Sequence, residues 1–252
     1  PEKMRPVMRS NQRVTYDALF KASSEALRLL AADQRHIGGE LPGFYGILHT
    51  WGRTLTFHPH IHYVVAGGAL SKDGRWHPSS PSFYVPNKAL SKIYRAKFRD
   101  ALHDAGLLHQ IPNEVWNAPW IVNIQAVGSS EQTLGYLAPY VFKVAISNSR
   151  ILKIENRQVT FRYKKKKSSR WRTMALDVME FLRRFLQHVL PTGFMKIRYY
   201  GFFHPTSSFP LEKVGIIIEL SMGFDYRPPE PEHAINATPQ CPTCGGKLRY
   251  LY

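Results

Sequence analysis

The segment 44–66 constrains the fold most, because it holds two apolar stretches of strand length with a short turn between them. Phe44–Trp51 and Phe57–Ala66 are rich in aromatic and β-branched residues, and Gly52-Arg53 marks the turn. Two strands joined by so short a connection pair antiparallel. The sequence therefore predicts a β-hairpin within an α+β domain, built on a largely antiparallel central sheet flanked by helices.

Helical periodicity and strand-like runs elsewhere support this class. Tyr16–Ala32 carries apolar residues at helical spacing, with Thr15 as its predicted cap. The other predicted elements are turns at Gly67-Gly68 and Lys72-Asp73-Gly74, a strand at Phe83–Val85, a helix at Asn87–Ala105 capped by Asn87, a buried strand at Trp120–Val127, a helix from Ser129 or Ser130 past Tyr140, a small sheet of Ile151–Ile154, Val159–Tyr163 and Trp171–Met174, a helix at Leu176–Leu190 and a strand at Met195–Phe203.

Three histidines alternate along the second strand of the hairpin, at His58, His60 and His62. Residues two apart in a strand face the same side, so His60 and His62 present two imidazoles side by side. Two imidazoles on one rigid strand form half of a divalent-metal site. Because Pro59 is tolerated mainly at the start or edge of a strand, we place His58 just outside it, as a further ligand or a phosphate contact.

His49 is the best candidate for a third metal ligand. It ends the first strand of the hairpin, which would lie beside the strand of His60 and His62. Glu114 and Gln125 are alternative third ligands. A surface cluster of histidines that binds no metal is the competing interpretation.

Tyr136 and Tyr140 lie four residues apart, which puts both phenols on one face of the predicted helix. Such a pair usually packs in a core, but Pro139 between them removes a helical hydrogen bond and predicts a kink. A kinked helix with two phenols favours a second interpretation, in which both tyrosines are nucleophiles that form covalent phosphotyrosines. Lys143, one turn further, either stabilises phosphate or phenolate charge or is a solvated lysine.

The charge of the chain favours a polyanionic partner. Lys and Arg number 34 against 18 Asp and Glu, a net charge of +16, and the stretch from Arg150 to Tyr200 alone has fourteen basic residues against three acidic ones. A basic surface without a ligand is the alternative. No apolar run reaches the roughly 20 residues of a membrane span, so we expect no membrane partner. The predicted nucleic-acid contacts are Arg162, Lys164, Lys165, Lys166, Lys167, Arg170 and Arg172, with Trp171 either a base-stacking platform or packed in its hairpin.

Cys241 and Cys244 are the two cysteines of the chain, which excludes a disulfide framework and favours a reducing cytoplasm. Their Cys-Pro-Thr-Cys spacing resembles a zinc knuckle, in which two thiolates point at one Zn²⁺. Four ligands are normally needed, and His233 would supply a third, so a half-site or a site completed by another chain stays open. The proline-rich run 228–231 predicts a linker, which divides the chain into a main domain, 1–226, and a tail, 227–252.

The histidine strand followed by the Tyr-x-x-x-Tyr helix resembles the HUH endonucleases. The wider sequence is similar to bacterial transposases of the insertion sequence ninety-one type, in the segments "ILHTWGRTLTFHPHIHYVVAGGAL", "YLAPYVFKVAISNSRI", "VTFRYKKKKSSRWRTM", "GFMKIRYYGFFHP" and "CPTCGGKL". The resemblance implies an HUH-type sheet and rolling-circle transposition of single-stranded DNA at transposon ends and targets. It assigns Mg²⁺ or Mn²⁺ to His60 and His62 and nucleophilic roles to Tyr136 and Tyr140, and supports His49 and His58 by position.

Members of that family carry a cysteine-rich zinc module and a first sheet strand before the segment that begins here at Pro1. We therefore expect an N-terminally truncated copy, in which the strand beside the histidine strand is missing. A bacterial, cytoplasmic protein that associates with the nucleoid is expected. Two other functions stay open: a histidine-triad nucleotide hydrolase, since three histidines alternate at 58, 60 and 62, and a non-catalytic DNA-binding remnant. The sequence does not indicate an oligomeric state.

Overall fold

The computed structural model describes residues 1–126, 145–165 and 170–223. The strands are β1 (Leu41–Trp51), β2 (Phe57–Leu70), β3 (Trp76–Pro78), β4 (Ile151–Glu155), β5 (Gln158–Lys164), β6 (Trp171–Asp177) and β7 (Ile197–Tyr200). The helices are α1 (Arg5–Ser10), α2 (Gln12–Ala32), α3 (Asn87–Asp104), α4 (Glu114–Asn117), α5 (Val178–Leu186) and α6 (Leu211–Met222), with 3₁₀ turns at Glu2–Met4, Leu108–Gln110, Asn148–Arg150 and Gly201–Phe203. None of these helices combines the length and the apolar character that a bilayer crossing requires.

A four-stranded antiparallel sheet, in the order β3-β2-β1-β7, forms the centre of the fold and confirms the α+β class. The predicted hairpin is β1 and β2, which pair from Leu41 opposite Leu70 to Trp51 opposite Phe57. β1 is central, and most of its residues on both faces are buried. β2 has β3 as its outer neighbour only at Gly68–Leu70, so among the described residues its outer edge from Phe57 to Gly67 has no partner strand.

Helices α2 and α3 cover one face of this sheet. Along α2, Tyr16, Phe20 and Leu27 are buried at helical spacing, and Phe98 and Leu102 of α3 pack into the same core. Each such side chain stabilises the fold by roughly 1.5–3 kcal/mol relative to an exposed position. The packing fixes α2 against β1 and β2 and so supports the hairpin from behind.

A second antiparallel sheet, β4-β5-β6, packs with α5 around its own core of Val159, Phe161 and Phe181. These strands confirm the predicted small sheet. The helix predicted at Leu176–Leu190 is shorter, because β6 continues to Asp177, whose carboxylate accepts a hydrogen bond from the backbone N–H of Met179 and caps α5.

The turn predicted at Gly67-Gly68 is wrong, since both residues lie inside β2. Gly68 is required there by packing: a Cβ at this position would lie 2.4 Å from the ring of Trp76 on the neighbouring strand. The chain reverses instead at Lys72-Asp73-Gly74, as predicted, where Gly74 has a φ of +83°. Gly68 therefore marks a close packing contact within a strand rather than a turn.

The strand predicted at Trp120–Val127 is also wrong over its described part, 120–126, which has no regular structure, and Ile121 is 90% exposed. Trp120 is held by aromatic packing instead: it stacks 5.7 Å from Trp116 and its indole N–H donates to the carbonyl of Val115. Phe83–Val85 forms a single bridge rather than a strand, and the strand predicted at Met195–Phe203 is limited to Ile197–Tyr200.

The predicted helix caps are wrong as well. Thr15 lies inside α2, where its hydroxyl donates to the carbonyl of Asn11 at 2.9 Å, and Asn87 is already the first residue of α3. Neither helix has a side-chain cap, because α2 continues almost directly from α1 and Pro86 precedes α3.

Candidate functional site

The hairpin brings His49, His60 and His62 together on one face of the sheet. His49 of β1 lies directly opposite His60 of β2, and His62 is the next residue on the same face. One ring nitrogen from each of the three lies within 4.8 Å of the others, and the Nε2 atoms of His60 and His62 are 3.0 Å apart. The hairpin thus places His49 beside the pair, as predicted, and its role as the third metal ligand stays a prediction.

The ring of His60 has a defined orientation. Its Nδ1 lies 2.7 Å from the carbonyl oxygen of His58, and because a carbonyl only accepts, Nδ1 carries the proton. In the neutral ring the lone pair then belongs to Nε2, the atom that faces His62. Burial lowers the pKa of His60 and favours this neutral form. Histidines that bind a metal through one ring nitrogen commonly donate the N–H of the other to a carbonyl or carboxylate, which fixes the orientation of the ring.

The three histidines fit a divalent cation. The Nε2 atoms of His60 and His62 are 3.0 Å apart. This separation is the one expected for two nitrogen ligands that each lie about 2.1 Å from a shared cation, with a nitrogen–cation–nitrogen angle of about 90°. His49 is 3% exposed, whereas His60 and His62 are partly exposed, so a cation would be open to solvent or substrate on the β2 side. Glu114 is not part of the cluster but forms an ion pair with Lys3, and Gln125 is exposed.

His58 occupies a different position from the predicted one. It lies within β2, not before it, and the pairing of β1 and β2 is irregular between His60 and Phe57, so that His58 and Pro59 together face Thr50. Such a bulge tolerates a proline. The Nδ1 of His58 lies 3.2 Å from a guanidinium nitrogen of Arg5 and accepts from it. Burial, with smaller effects of His60 and Arg5, lowers the pKa of His58 to about 4.

Two further aromatic residues, Trp51 and His188, pack beside the cluster, and the sequence analysis did not identify either of them. The ring of Trp51 stacks on His49 at 4.9 Å, and His188 contacts Trp51 edge-on at 6.1 Å. The Nε2 of His188 donates to the carbonyl of Leu55 at 3.1 Å, which leaves its Nδ1 to accept from the hydroxyl of Thr50 at 3.2 Å. Burial lowers the pKa of His188, so both bonds involve a neutral ring.

The turn of the hairpin is inserted into the second sheet. Leu55, at its tip, is 0% exposed and belongs to the core of β5 and α5 although its φ is +60°, a conformation that is costly for leucine. The backbone carbonyls of the turn accept hydrogen bonds from four side chains of the second unit, which are Arg150 (to Arg53), Arg184 (to Thr54), Gln187 (to Leu55) and His188 (to Leu55). The histidine hairpin is therefore anchored to the second sheet, β4-β5-β6, which we call the basic sheet.

The basic sheet carries an exposed aromatic ring among cations. Trp171 of β6 is 50% exposed and pairs with Lys164 of β5. The guanidinium of Arg162 and the ammonium of Lys164 lie 4.8 and 4.9 Å from its ring centre, within cation–π distance. Lys165, Arg170 and Arg172 are exposed beside it.

The remaining predicted site residues lie outside the described parts of the chain. They are Tyr136, Tyr140 and Lys143, the lysines Lys166 and Lys167, and the tail with Cys241 and Cys244.

Comparison with known proteins gives consistent matches. The family model described as "Putative transposase" matches residues 43–208, more than half of the chain. "Putative transposase y4qJ" from Sinorhizobium fredii is 39% identical over 223 residues, covering 80% of this chain and 56% of that protein. "Transposase for insertion sequence element IS801" from Pseudomonas savastanoi pv. phaseolicola is 27% identical over 259 residues, covering 93% of this chain and 61% of that protein. The chain thus spans less than two thirds of either relative, and no solved structure matches it.

Proposed function

The chain belongs to this transposase family, and on that premise we propose that it cuts and rejoins single-stranded DNA at the ends and targets of a mobile element. The family supports DNA as the partner. The cutting chemistry, the strand preference and the roles of single residues are our inference, and they rest first on the histidine cluster.

The observation that carries the proposal is the convergence of His49, His60 and His62, with ligand atoms within 4.8 Å of one another on one sheet face. Of the two predicted cations, Mn²⁺ suits three imidazole nitrogens better than Mg²⁺, which prefers oxygen ligands, and DNA oxygens would complete the ligand set of either. A divalent cation held there would polarise the scissile phosphate and offset the charge that develops on it. Burial lowers the pKa of His60, so its ring is neutral and its Nε2 lone pair is available for this task.

We propose Tyr136 and Tyr140 as the nucleophiles. In each cleavage a phenol oxygen forms a bond to phosphorus while the bond from phosphorus to the 3′ oxygen breaks. The phenol proton ends on the departing 3′ oxygen, so the products are a 5′-phosphotyrosine and a free 3′-hydroxyl. The reverse attack by a 3′-hydroxyl rejoins the strand, and two tyrosines allow one end to be held while a second is cut. Lys143 would stabilise the phosphate charge.

The basic sheet is the proposed surface for the rest of the strand. Arg162, Lys164 and their neighbours would contact phosphates, and the half-exposed ring of Trp171 would stack on a base. Because the turn at Leu55 joins this sheet to the hairpin, DNA bound there would be held at a fixed distance from the histidines.

A labelled-strand assay tests the proposal. The chain is incubated with Mn²⁺ and a pool of single-stranded oligonucleotides labelled at either end, and products are separated under denaturing conditions. We expect the 3′ label to migrate with the protein and the 5′ label to be released. The adduct should be lost in Tyr136→Phe/Tyr140→Phe, in His60→Ala and on addition of a chelator, and should persist in the control Tyr199→Phe, an exposed tyrosine on β7.

Two outcomes contradict the proposal. DNA binding without an adduct under any divalent metal, unaffected by His60→Ala, indicates a non-catalytic DNA-binding remnant. Metal-independent hydrolysis of small nucleotides indicates a histidine-triad hydrolase. The family membership favours neither.

A further inference from the structure

Three arginines lie four residues apart along the first two helices, at Arg5 and Arg9 in α1 and Arg13 in the first turn of α2. Four residues of helix advance about 6 Å, so Arg5 and Arg9 are neighbours on one face of α1. We call these three residues the arginine row. None of them belongs to the basic sheet.

The arginine row begins at the histidine cluster. Arg5 donates to the Nδ1 of His58 at 3.2 Å, and the ring of His58 lies 4.9 Å from that of His60. The guanidinium of Arg9 lies 5.6 Å from the ring centre of Phe57, the first residue of the histidine strand. Arg13 donates to the carbonyl of Thr192, in the segment that follows α5. The row therefore leads from His60 along the start of β2 toward the end of α5.

Arg9 and Arg13 differ from Arg5 in their charge partners. Arg5 forms an ion pair with Glu2 at 2.9 Å, whereas no carboxylate of the described residues lies within 4.0 Å of Arg9 or Arg13. Both are exposed, and their known contacts are with a ring face and a carbonyl, which leave most of the five N–H donors of each guanidinium directed elsewhere. Two cations without acidic partners beside a candidate metal site are suited to an anionic ligand.

We propose that Arg9 and Arg13 bind successive phosphates of the single strand that runs from the histidine cluster toward the end of α5. The inference rests on the proposed function, since it takes single-stranded DNA as the ligand. Arg5 serves a different purpose, because it is already shared between Glu2 and His58 and holds the bulge at His58 in place. The strand would thus be held on two sides of the histidines, by the arginine row and by the basic sheet.

The salt dependence of DNA binding tests the row. The affinity of the whole chain for a fluorescent single-stranded oligonucleotide is measured by anisotropy from 50 to 300 mM KCl without divalent metal. Each phosphate contact contributes about 0.7 to the slope of the logarithm of affinity against the logarithm of salt concentration. Arg9→Ala/Arg13→Ala should lower the slope by about 1.4 and weaken binding, and Arg9→Lys/Arg13→Lys should restore most of the slope. The control Lys88→Ala/Lys92→Ala removes the same charge from exposed positions one turn apart on α3 and should leave the slope nearly unchanged.

The outcomes separate this inference from the proposed function. If both double alanine variants lower the slope equally, the effect is one of net charge and the row binds no phosphate. If Arg162→Ala lowers the slope but Arg9→Ala/Arg13→Ala does not, DNA binds at the basic sheet alone and the row is excluded while the proposed function stands. If the unaltered chain binds no single-stranded DNA, the proposed function fails together with the row.

Discussion

Replacing Leu55 by alanine should destabilise the protein by about 2–5 kcal/mol, the range for a fully buried leucine whose loss leaves a cavity. Leu55 is 0% exposed and packs in the core of β5 and α5, which are distant in sequence from β1 and β2, the strands that Leu55 connects. Its φ of +60° adds a second expectation. A left-handed conformation costs a non-glycine residue about 1–2 kcal/mol, which Leu55→Gly relieves, against about 0.5–1 kcal/mol of extra chain entropy for glycine. Leu55→Gly should therefore equal or exceed Leu55→Ala in stability, by up to about 1.5 kcal/mol.

Urea unfolding followed by tryptophan fluorescence measures both differences. Leu102 of α3 is the matched control, because it is also 0% exposed but lies in a regular helix, where glycine is less favourable than alanine by about 1 kcal/mol. The order of alanine and glycine should thus reverse between the two sites. In variants that remain folded, only those at Leu55 should weaken Mn²⁺ binding, since Leu55 anchors the hairpin that carries the histidines. A cost below about 1 kcal/mol for Leu55→Ala would refute the anchoring, as would the same order at both sites.

Three further predictions concern single side chains. Gly68→Ala should destabilise the protein by about 1–3 kcal/mol, because its Cβ would press against Trp76. Gly67→Ala should be nearly neutral in the same urea assay, because its Cβ would meet only the Ser79 hydroxyl at 3.8 Å. Equal effects of the two substitutions would contradict the packing role of Gly68. Burial lowers the pKa of His188 below its usual 6.5, so the neutral ring contributes stability that is complete above pH 6.5 and is lost as the pH falls below that value. From pH 7 to 5 the free energy of unfolding of His188→Gln should therefore fall less steeply than that of the unaltered chain. Trp171→Ala should weaken single-strand binding by about 1–3 kcal/mol, roughly fivefold to 150-fold in Kd, while Trp171→Phe keeps most of the affinity; unchanged binding would mean that the ring only packs in its hairpin.

The hairpin and its histidine pair could be predicted because their signals are local. Alternation in a strand fixes which side chains share a face, so His60 and His62 required no knowledge of the rest of the chain. A short turn fixes the antiparallel partner, which is why His49 could be identified as their neighbour. The roles of these residues in metal binding, and of Tyr136 and Tyr140 as nucleophiles, stay predictions.

Predictions failed where a local pattern had two structural meanings. The pair Gly67-Gly68 reads as a turn, but the need to accommodate Trp76 arises only once β3 lies beside β2. The apolar run from Trp120 reads as a strand, yet Trp120 packs on Trp116 and forms no sheet pairing. Pro59 suggested that His58 lies just outside the strand, yet a bulge accommodates the proline and His58 lies within β2.

The α+β class, the antiparallel hairpin and the pair of imidazoles on one face could be predicted from local patterns, because all three follow from the period and spacing of nearby residues. No local pattern predicted that Leu55 inserts into a second core, that His188 bonds to the turn from a position 133 residues away, or that Arg5 contacts His58. Such contacts join side chains without any shared periodicity. They are selected by the packing of whole elements, and they determine how firmly the three histidines are held.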